Sequence, residues 1–230
     1  MEIEILELLE GARKARGCTV IIDVFRAFSL EPFLLDQNAK ELTAVETVET
    51  AWKMRKEDPD LILMGERHGR ILDGFDYGNS PASIRGIDFT GKRIAHTTSA
   101  GTRGLAGAVN ASRLFAASLV NSMATAKVIQ AMNPDHVSLV CMGWECHRNT
   151  EEDLLCAEYI RSILMNEPMK DIRERADYLR YQEGKKFFDP AQADVFPTGD
   201  FFCCIDVDRF DFAMEAVRNE NGFLMKKVIP

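Results

Sequence analysis

The sequence has 230 residues and is 46% hydrophobic, enough to bury the core of one large domain or of two smaller lobes that share a sheet. Its formal charge of -8 argues against a partner held through nucleic-acid phosphates. The six cysteines follow neither a disulfide framework nor paired zinc spacing. No apolar run is long enough to span a membrane, and the acidic N-terminus is unlike a signal peptide. We therefore expect a cytoplasmic protein.

Apolar runs of strand length alternate with helix-length stretches along the chain, a pattern typical of an α/β sheet. We predict strands at residues 1–8, 19–24, 42–45, 61–64, 93–96, 113–117, 136–142 and 201–205. Helices are predicted at residues 26–38, 47–56, 101–110, 121–132, 150–165 and 171–180. The tail, residues 210–230, is predicted to form a short helix and a last edge strand.

These elements predict a three-layer α/β/α fold with a mixed, largely parallel sheet. Residues 1–230 are expected to form a single domain, in which two sub-lobes can share the sheet with a cleft between them. Residues 184–199 are rich in loop-forming residues and are predicted to be either a lid or a surface excursion.

Ligands of open α/β sheets bind where parallel strands end, so the residues after each predicted strand are candidates for chemistry. Asp23 follows a buried apolar run, and Arg26 comes three residues later. A carboxylate and a guanidinium there suit a metal ion and an anion. The alternative is that Asp23 caps the next helix and pairs with Arg26. A haloacid-dehalogenase mechanism is poorly supported, because Phe25 stands where that superfamily has its second aspartate.

The stretch from residue 61 to residue 81 holds the most unusual chemistry in the chain. After an apolar run come Glu66, Arg67 and His68, which suit a metal ligand or base, a phosphate clamp and a proton donor, or form only a charged turn. The segment that follows, GFDYGNSP, supplies Asp76 and permissive backbone around Asn79 and Ser80, where amides can cradle an anion beside the acids.

A second anion pocket is predicted where the strand at 93–96 runs into a helix. Backbone amides near Ser99, Gly101 and Thr102 can bind an anion there, although the Walker spacing is missing and an ordinary Ser/Thr cap is the alternative. Asn121 likewise follows a strand and can bind substrate oxygens or cap a helix.

Acidic residues also cluster at the start of the helix predicted at 150–165. The dipole alone stabilises acids in the first turn, yet Glu152 or Asp153 can turn inward to a metal. Zinc is not favoured, because Cys141, Cys146 and His147 lack a fourth ligand at a sensible spacing.

Six motifs occur in an order that resembles the 2-phosphosulfolactate phosphatase family, Mg2+-dependent phosphatases named for a step in coenzyme M biosynthesis. They are IDVFRA at 22–27, GER at 65–67, GFDYGNSP at 74–81, TTSAGTRGL at 97–105, ASLVN at 117–121 and EDLLCA at 152–157. The GFDYGNSP motif is the most specific. The resemblance implies an α/β fold and metal-assisted hydrolysis of a phosphate ester on a small sulfonated or carboxylated acid, such as 2-phospho-3-sulfolactate.

The sequence departs from the family pattern at two positions. Members usually have Ala-Thr-Thr after the first arginine, where this chain has Ala27, Phe28 and Ser29. They usually have an asparagine where this chain has Ala100. A bulky Phe28 and the missing amide at Ala100 are expected to reshape the pocket. A non-catalytic paralogue that binds a small anion is therefore the alternative function, and a redox protein that uses the cysteines is less well supported.

The hypothesis assigns three kinds of role to the candidate residues. Mg2+ is held by Asp23, Glu66 and one further acid. That acid is Asp153, or else Asp76 or Glu152. The catalytic set comprises Asp23, Arg26, Glu66 and Asp76. The expected substrate contacts are Arg67, Asn79, Ser80, Ser99, Gly101, Thr102 and Asn121. Water attacks phosphorus, and Asp76 or His68 protonates the leaving oxygen. We expect a small phosphorylated acid as ligand, no nucleic acid or membrane, and a sheet edge that would allow a homodimer.

Overall fold

The computed structural model describes all residues from Met1 to Pro230. Its ten strands are β1 (Glu2–Glu7), β2 (Arg16–Ile22), β3 (Glu41–Ala44), β4 (Ile62–Arg67), β5 (Arg70–Ile71), β6 (Arg93–Thr97), β7 (Asn110–Ala117), β8 (His136–Cys141), β9 (Ala213–Arg218) and β10 (Phe223–Val228). Its α-helices are α1 (Leu8–Lys14), α2 (Ala27–Asp36), α3 (Val48–Glu57), α4 (Gly101–Gly107), α5 (Ser122–Met132), α6 (Glu151–Leu164), α7 (Ile172–Tyr178) and α8 (Thr198–Cys204). None of these helices is both long and apolar enough to cross a membrane.

All ten strands lie in one sheet, in the order β1-β8-β2-β7-β9-β10-β3-β6-β4-β5. The sheet holds two parallel blocks, β1-β8-β2-β7 and β3-β6-β4, and the C-terminal hairpin β9-β10 joins them through antiparallel pairs. The predicted mixed, largely parallel sheet is confirmed.

The antiparallel pairs make the two parallel blocks run in opposite directions along the sheet. In a flat sheet the carboxyl ends of β2 and β6 would therefore lie at opposite edges. Sheets twist by about 20–25° per strand, and over the five steps from β2 to β6 this adds up to about 100–125°. The accumulated twist turns the ends of β2 and β6 toward each other, which allows α4, the helix after β6, to pack against β2 and α1.

Two helical layers cover the sheet and confirm the three-layer α/β/α architecture. On one face, α1, α2 and α4 bury a core that includes Phe28 and Ile21. On the other face, α5 and α6 cover the first parallel block, and α3 covers the second through a smaller cluster around Met54. This alternation follows from the strands, since Ile21 faces one core while Val20 and Ile22 face the other.

The C-terminal part of the chain differs from the prediction in two ways. The strand predicted at 201–205 is wrong, because these residues belong largely to α8, which buries Phe201 and Cys204 and leaves Phe202 47% exposed. A short apolar run does not by itself distinguish a strand from a buried helix. The helix and edge strand predicted in the tail are also wrong, because β9 and β10 form a hairpin at the centre of the sheet.

Candidate functional site

A small cavity of about 30 Å3 lies where the loops after β2, β4, β6 and β8 meet the start of α6. This volume has room for about one water molecule or ion. The cavity is lined by Asp23, Phe25, Arg26, Glu66, Gly69, Asn79, Ser99, Ala100, Gly143, Trp144, Glu145, Glu152, Asp153 and Phe196. The sequence therefore brings residues from both parallel blocks to one point.

Backbone amides fix three of the cavity carboxylates in place. Asp23 accepts hydrogen bonds from Ala27 N at 3.2 Å and Gly101 N at 2.9 Å, one on each oxygen. Glu66 accepts one from Ser99 N and one from Gly69 N, each at 2.8 Å.

Asp153 completes the set, with Val24 N and Gly143 N as donors at 2.8 Å each. Because each carboxylate oxygen has more than one acceptor site, every one of these atoms can still accept a further partner from the cavity.

Gly101 is the residue that lets α4 approach Asp23. A Cβ atom at this position would lie 3.0 Å from Asp23 Oδ2 and 2.9 Å from Phe28 Cζ, so any larger residue must push the helix or the carboxylate away. The TTSAGT stretch therefore needs glycine for close packing rather than for a left-handed turn.

Burial and mutual repulsion make the cavity acids hard to ionise. Burial, and then the charge of Glu66, raise the pKa of Asp23 to about 6. Burial raises the pKa of Glu152 to about 7, and burial together with Glu152 and Asp23 raises the pKa of Asp153 well above its usual value. Arg26 is the one basic residue that lines the cavity, and it is already paired with Asp200. Such an excess of buried negative charge is costly unless a cation binds or protons are taken up.

The cavity also holds buried oxygen atoms without a hydrogen-bond partner. These are Glu152 Oε2, Asn79 Oδ1 and Ser99 Oγ. Buried polar atoms are normally paired, so three unpartnered oxygens at one cavity indicate a place for water, an ion or substrate. Carboxylate, amide and hydroxyl oxygens are the donor types that hard divalent cations prefer.

No three acidic, histidine or cysteine side chains are grouped closely enough to hold a metal ion by themselves. Mg2+ does not require such a group, because it usually keeps several waters and takes only one or two carboxylates together with phosphate oxygens of the substrate. Asp23, Glu66 and Asp153, the three acids predicted from the sequence, therefore fit Mg2+ if one or two of them are direct ligands and the others act through water.

Arg26 connects the cavity, through hydrogen bonds, to the segment that precedes α8 and to α8 itself. Its guanidinium donates to Val195 O at 2.8 Å, to Asp200 Oδ2 at 2.5 Å and to Gly69 O at 2.9 Å, and its side chain is 2% exposed. The ring of Phe196 lies over this guanidinium at 5.0 Å and forms one wall of the cavity. Within residues 184–199, Phe196 is the residue that lines the cavity.

The amides predicted to bind phosphate hold carboxylates or cap a helix instead. Ser99 N and Gly101 N donate to Glu66 and Asp23, and Thr102 N donates to Thr98 Oγ1 at 3.2 Å. The negative charges that Ser99 N and Gly101 N bind are therefore carboxylates of the protein itself. Of Ser99, Gly101 and Thr102, the residues of this predicted anion pocket, only Ser99 lines the cavity. Asn79, from the GFDYGNSP segment, also lines it.

Asp76 lies outside the cavity, which corrects its predicted place in the catalytic set. Its Oδ2 atom accepts a hydrogen bond from Leu63 N at 2.8 Å and pairs with Arg55. Asp76 and Ser80 line a neighbouring surface groove of about 430 Å3, which shares Arg26, Gly69 and Asn79 with the cavity. Ser80 Oγ donates to Asp200 Oδ1 at 2.7 Å. Asp76 Oδ2 and Ser80 Oγ therefore hold the loop in place.

Three other predicted residues also point away from the cavity. Arg67 donates to Glu66 O and Thr97 Oγ1, and buried Asn121 caps the turn that begins at Ser118. His68 is 79% exposed and bonds Glu145 Oε1 at 2.6 Å, in a groove beside the cavity.

Sequence reasoning missed several residues around the cavity. Trp144, Glu145 and Phe196 line it, and Lys186 lies behind the two aromatic rings, 4.3 Å from the Trp144 centroid. These residues come from irregular segments, where no periodic pattern marks which side chains point inward. Of the two departures from the family pattern, Ala100 lines the cavity, whereas Phe28 is buried in the core.

The cysteines do not form a redox site. All six are buried and free, and burial raises the pKa of each thiol, which disfavours the reactive thiolate.

Comparison with known proteins gives one consistent result. Residues 3–189 match the profile of the family described as 2-phosphosulpholactate phosphatase. A Bacillus subtilis protein is 29% identical over 91% of this chain and 91% of its own length. Proteins of Caldicellulosiruptor saccharolyticus and Deinococcus radiodurans are each 38% identical, over 64% of this chain and 62% and 61% of their own lengths. All three carry the description probable 2-phosphosulfolactate phosphatase.

Proposed function

The chain belongs to the 2-phosphosulpholactate phosphatase family, and on this basis we propose that it hydrolyses the phosphate ester of a small acidic 2-hydroxy acid. The proposed substrate is 2-phospho-3-sulfolactate, and the products are 3-sulfolactate and inorganic phosphate. The reaction is proposed to require Mg2+. The relatives' descriptions support the substrate, and the composition of the cavity supports the metal.

The observation that carries the proposal is the convergence of four buried acids, Asp23, Glu66, Glu152 and Asp153, on one cavity. A protein that only needed to pack these segments would gain more from apolar side chains, because buried like charges repel each other. Mg2+ held by Asp23, Glu66 and Asp153 would offset the charge developing on the phosphoryl group and lower the pKa of a bound water.

Two neighbouring side chains are suited to the phosphoryl oxygens. Arg26 uses three of its N–H groups on Val195, Asp200 and Gly69, so two of the five donors of a guanidinium remain for a ligand at the cavity. Asn79 lies beside it and can add an amide N–H. These contacts orient the ester and oppose the negative charge of its phosphate.

Glu152 is suited to move a proton during the reaction. Burial raises its pKa to about 7, and its Oε2 atom has no partner in the protein. A group whose pKa lies near the working pH transfers protons efficiently. We assign Glu152 Oε2 as the acceptor of the proton from the attacking water, whereas the sequence had offered Glu66 as the metal ligand or base.

The non-catalytic alternative loses part of its support in the structure. Phe28 was one of two features in its favour, but its ring packs in the core under Gly101 and does not line the cavity. Ala100 remains as the one departure at the cavity wall.

The test is phosphate release from 2-phosphosulfolactate, with and without Mg2+, by wild type, Asp23→Asn and Asp60→Asn. Asp60 is an exposed acid outside the cavity lining and serves as the matched control. We expect Mg2+-dependent release by wild type and by the control, and a loss of at least a hundredfold in Asp23→Asn with an unchanged circular dichroism spectrum. Tight binding of the substrate by wild type without any release would favour the non-catalytic alternative.

A further inference from the structure

A groove of about 420 Å3 lies on the far side of the Trp144 and Phe196 rings, which line both the groove and the acidic cavity. The two spaces therefore share one aromatic wall. The groove differs from the cavity in charge. Its lining includes His68, Arg70, Arg148 and Lys186 but only one acid, Glu183.

Most of the basic groups in the groove already have acidic partners. Arg148 pairs with both oxygens of Glu183, and Arg70 pairs with Asp194 at 3.3 Å. Lys186 is different, because its ammonium makes no ion pair within 4.0 Å and donates no hydrogen bond.

The surroundings of Lys186 suit an anion as its partner. Its Nζ atom lies 4.3 Å from the Trp144 ring centroid and 5.3 Å from that of Phe196, with Phe25 and Phe187 within 5.7 Å. Aromatic faces stabilise a cation but offer its three N–H groups no conventional acceptor. Burial lowers the pKa of Lys186, and Glu152 and Glu183 only partly offset this effect.

We propose that Lys186 binds the second acidic group of the substrate, a sulfonate or carboxylate, while its phosphate lies at the acidic cavity. This inference rests on the proposed function and adds the residue that determines specificity. An oxyanion supplies the acceptors that the aromatic wall lacks, and Trp144 and Phe196 line both the groove of Lys186 and the cavity. Without such a contact, an acidic substrate would be repelled by the carboxylates of the cavity.

The experiment compares kcat/KM for three phosphate esters of increasing acidity. Isopropyl phosphate has no further acid, 2-phospholactate has a carboxylate, and 2-phosphosulfolactate has both a carboxylate and a sulfonate. For Lys186→Met we expect kcat/KM to fall by about tenfold to a hundredfold on the ester whose acid Lys186 binds, as for loss of a charge-assisted hydrogen bond, and to change less than about twofold on isopropyl phosphate.

The pattern of loss identifies the acid. A fall on 2-phosphosulfolactate alone assigns the sulfonate, and a fall on both acidic esters assigns the carboxylate. Lys185→Met is the matched control, because Lys185 is an exposed neighbour outside the groove lining. Lys186→Arg retains the charge and should retain most of the selectivity. Equal losses on all three esters, or no loss on any, would overturn the proposal.

A second measurement does not depend on turnover. Calorimetric titration of 3-sulfolactate into metal-free protein should show binding to wild type and to Lys185→Met. The affinity of Lys186→Met should be at least tenfold lower. If wild type releases phosphate from none of the esters, the proposed function fails, while this titration still decides whether Lys186 binds the acid. Equal affinity in all three proteins would contradict the inference.

Discussion

The backbone amide of Gly101 donates a hydrogen bond of 2.9 Å to Asp23 Oδ2, and this contact joins two parts of the sheet whose strands run in opposite directions. Asp23 follows β2 in the first parallel block, and Gly101 begins α4 after β6 in the second. Glu66 adds a second link within the second block, through Ser99 N at 2.8 Å. The site thus depends on the twist of the whole sheet rather than on neighbouring strands alone.

Gly101→Ala should impair catalysis more than stability. The added Cβ atom would meet Asp23 Oδ2 at 3.0 Å and Phe28 Cζ at 2.9 Å, so the carboxylate must move away from the position it holds in the cavity. We expect at least a tenfold loss of kcat in phosphate-release assays. Gly107→Ala in the same helix is the control, because its new Cβ would meet the flexible end of Leu9 at 3.0 Å and otherwise make ordinary contacts, the nearest with Ala12 Cβ at 3.4 Å. Equal activity in both variants would show that Asp23 tolerates displacement.

Asp76→Asn should lower stability and leave catalysis largely intact. Asp76 accepts a hydrogen bond from Leu63 N and pairs with Arg55 outside the cavity, so the substitution removes a partly exposed ion pair. We expect a loss of about 1 kcal/mol in urea unfolding and a kcat within about threefold of wild type. A loss of activity as large as that of Asp23→Asn would restore the catalytic role predicted from the sequence.

The strands that carry the site were predictable because each is a short apolar run followed directly by polar residues. Asp23 and Glu66 were chosen on that basis, and Asp153 was chosen as an acid in the first turn of a predicted helix. The structure brings all three to one cavity. Their distances from one another depend on sheet order and accumulated twist, which a local pattern does not contain. For the same reason the tail was placed at the sheet edge, although β9 and β10 lie at its centre.

The amide contacts illustrate a different limit of sequence reasoning. A glycine-containing helix start such as TTSAGT predicts an anion site, and an anion is indeed bound there, but it is the carboxylate of Asp23. Local chemistry identifies the donors, whereas only the assembled fold decides which acceptor reaches them. Lys186 shows the converse, since nothing in its local sequence distinguishes it from its exposed neighbour Lys185.

Asp200→Asn should destabilise the protein strongly, because it breaks a buried ion pair. Asp200 is 0% exposed, and its two oxygens accept hydrogen bonds from Arg26, Ser80 Oγ and Ala82 N. An asparagine keeps one oxygen, so at least one donor loses its acceptor and Arg26 stays charged without a carboxylate to pair with. We expect a loss of roughly 3–5 kcal/mol in the free energy of unfolding, measured with urea.

The control for Asp200→Asn is the exposed ion pair between Arg70 and Asp194, whose side chains are each 68% exposed. Asp194→Asn should change the free energy of unfolding by less than about 1 kcal/mol, since exposed pairs contribute little. A similar small effect of both substitutions would mean that the buried pair of Arg26 and Asp200 contributes no more to stability than the exposed pair.

The acids of the cavity should make the metal-free protein less stable as pH rises. Burial raises the pKa of Glu152 from 4.5 to about 7 and that of Asp23 from 3.8 to about 6. Between the unfolded and the folded pKa of each group, the folded protein therefore binds more protons than the unfolded chain. Stability therefore falls as pH rises through this window, and the cost is fully present above about pH 7. For Glu152 the change in pKa corresponds to about 3 kcal/mol.

Urea unfolding of the metal-free protein in EDTA, from pH 4.5 to pH 8, measures this cost. Glu152→Gln cannot ionise at this position, so its free energy of unfolding should decline less than that of wild type, by up to about 3 kcal/mol at pH 8. Glu151→Gln changes the exposed neighbouring acid and should follow the wild-type curve. Parallel curves for wild type and Glu152→Gln would show that Glu152 ionises as readily in the folded protein as in the unfolded chain, and would remove it as the proton acceptor near neutral pH.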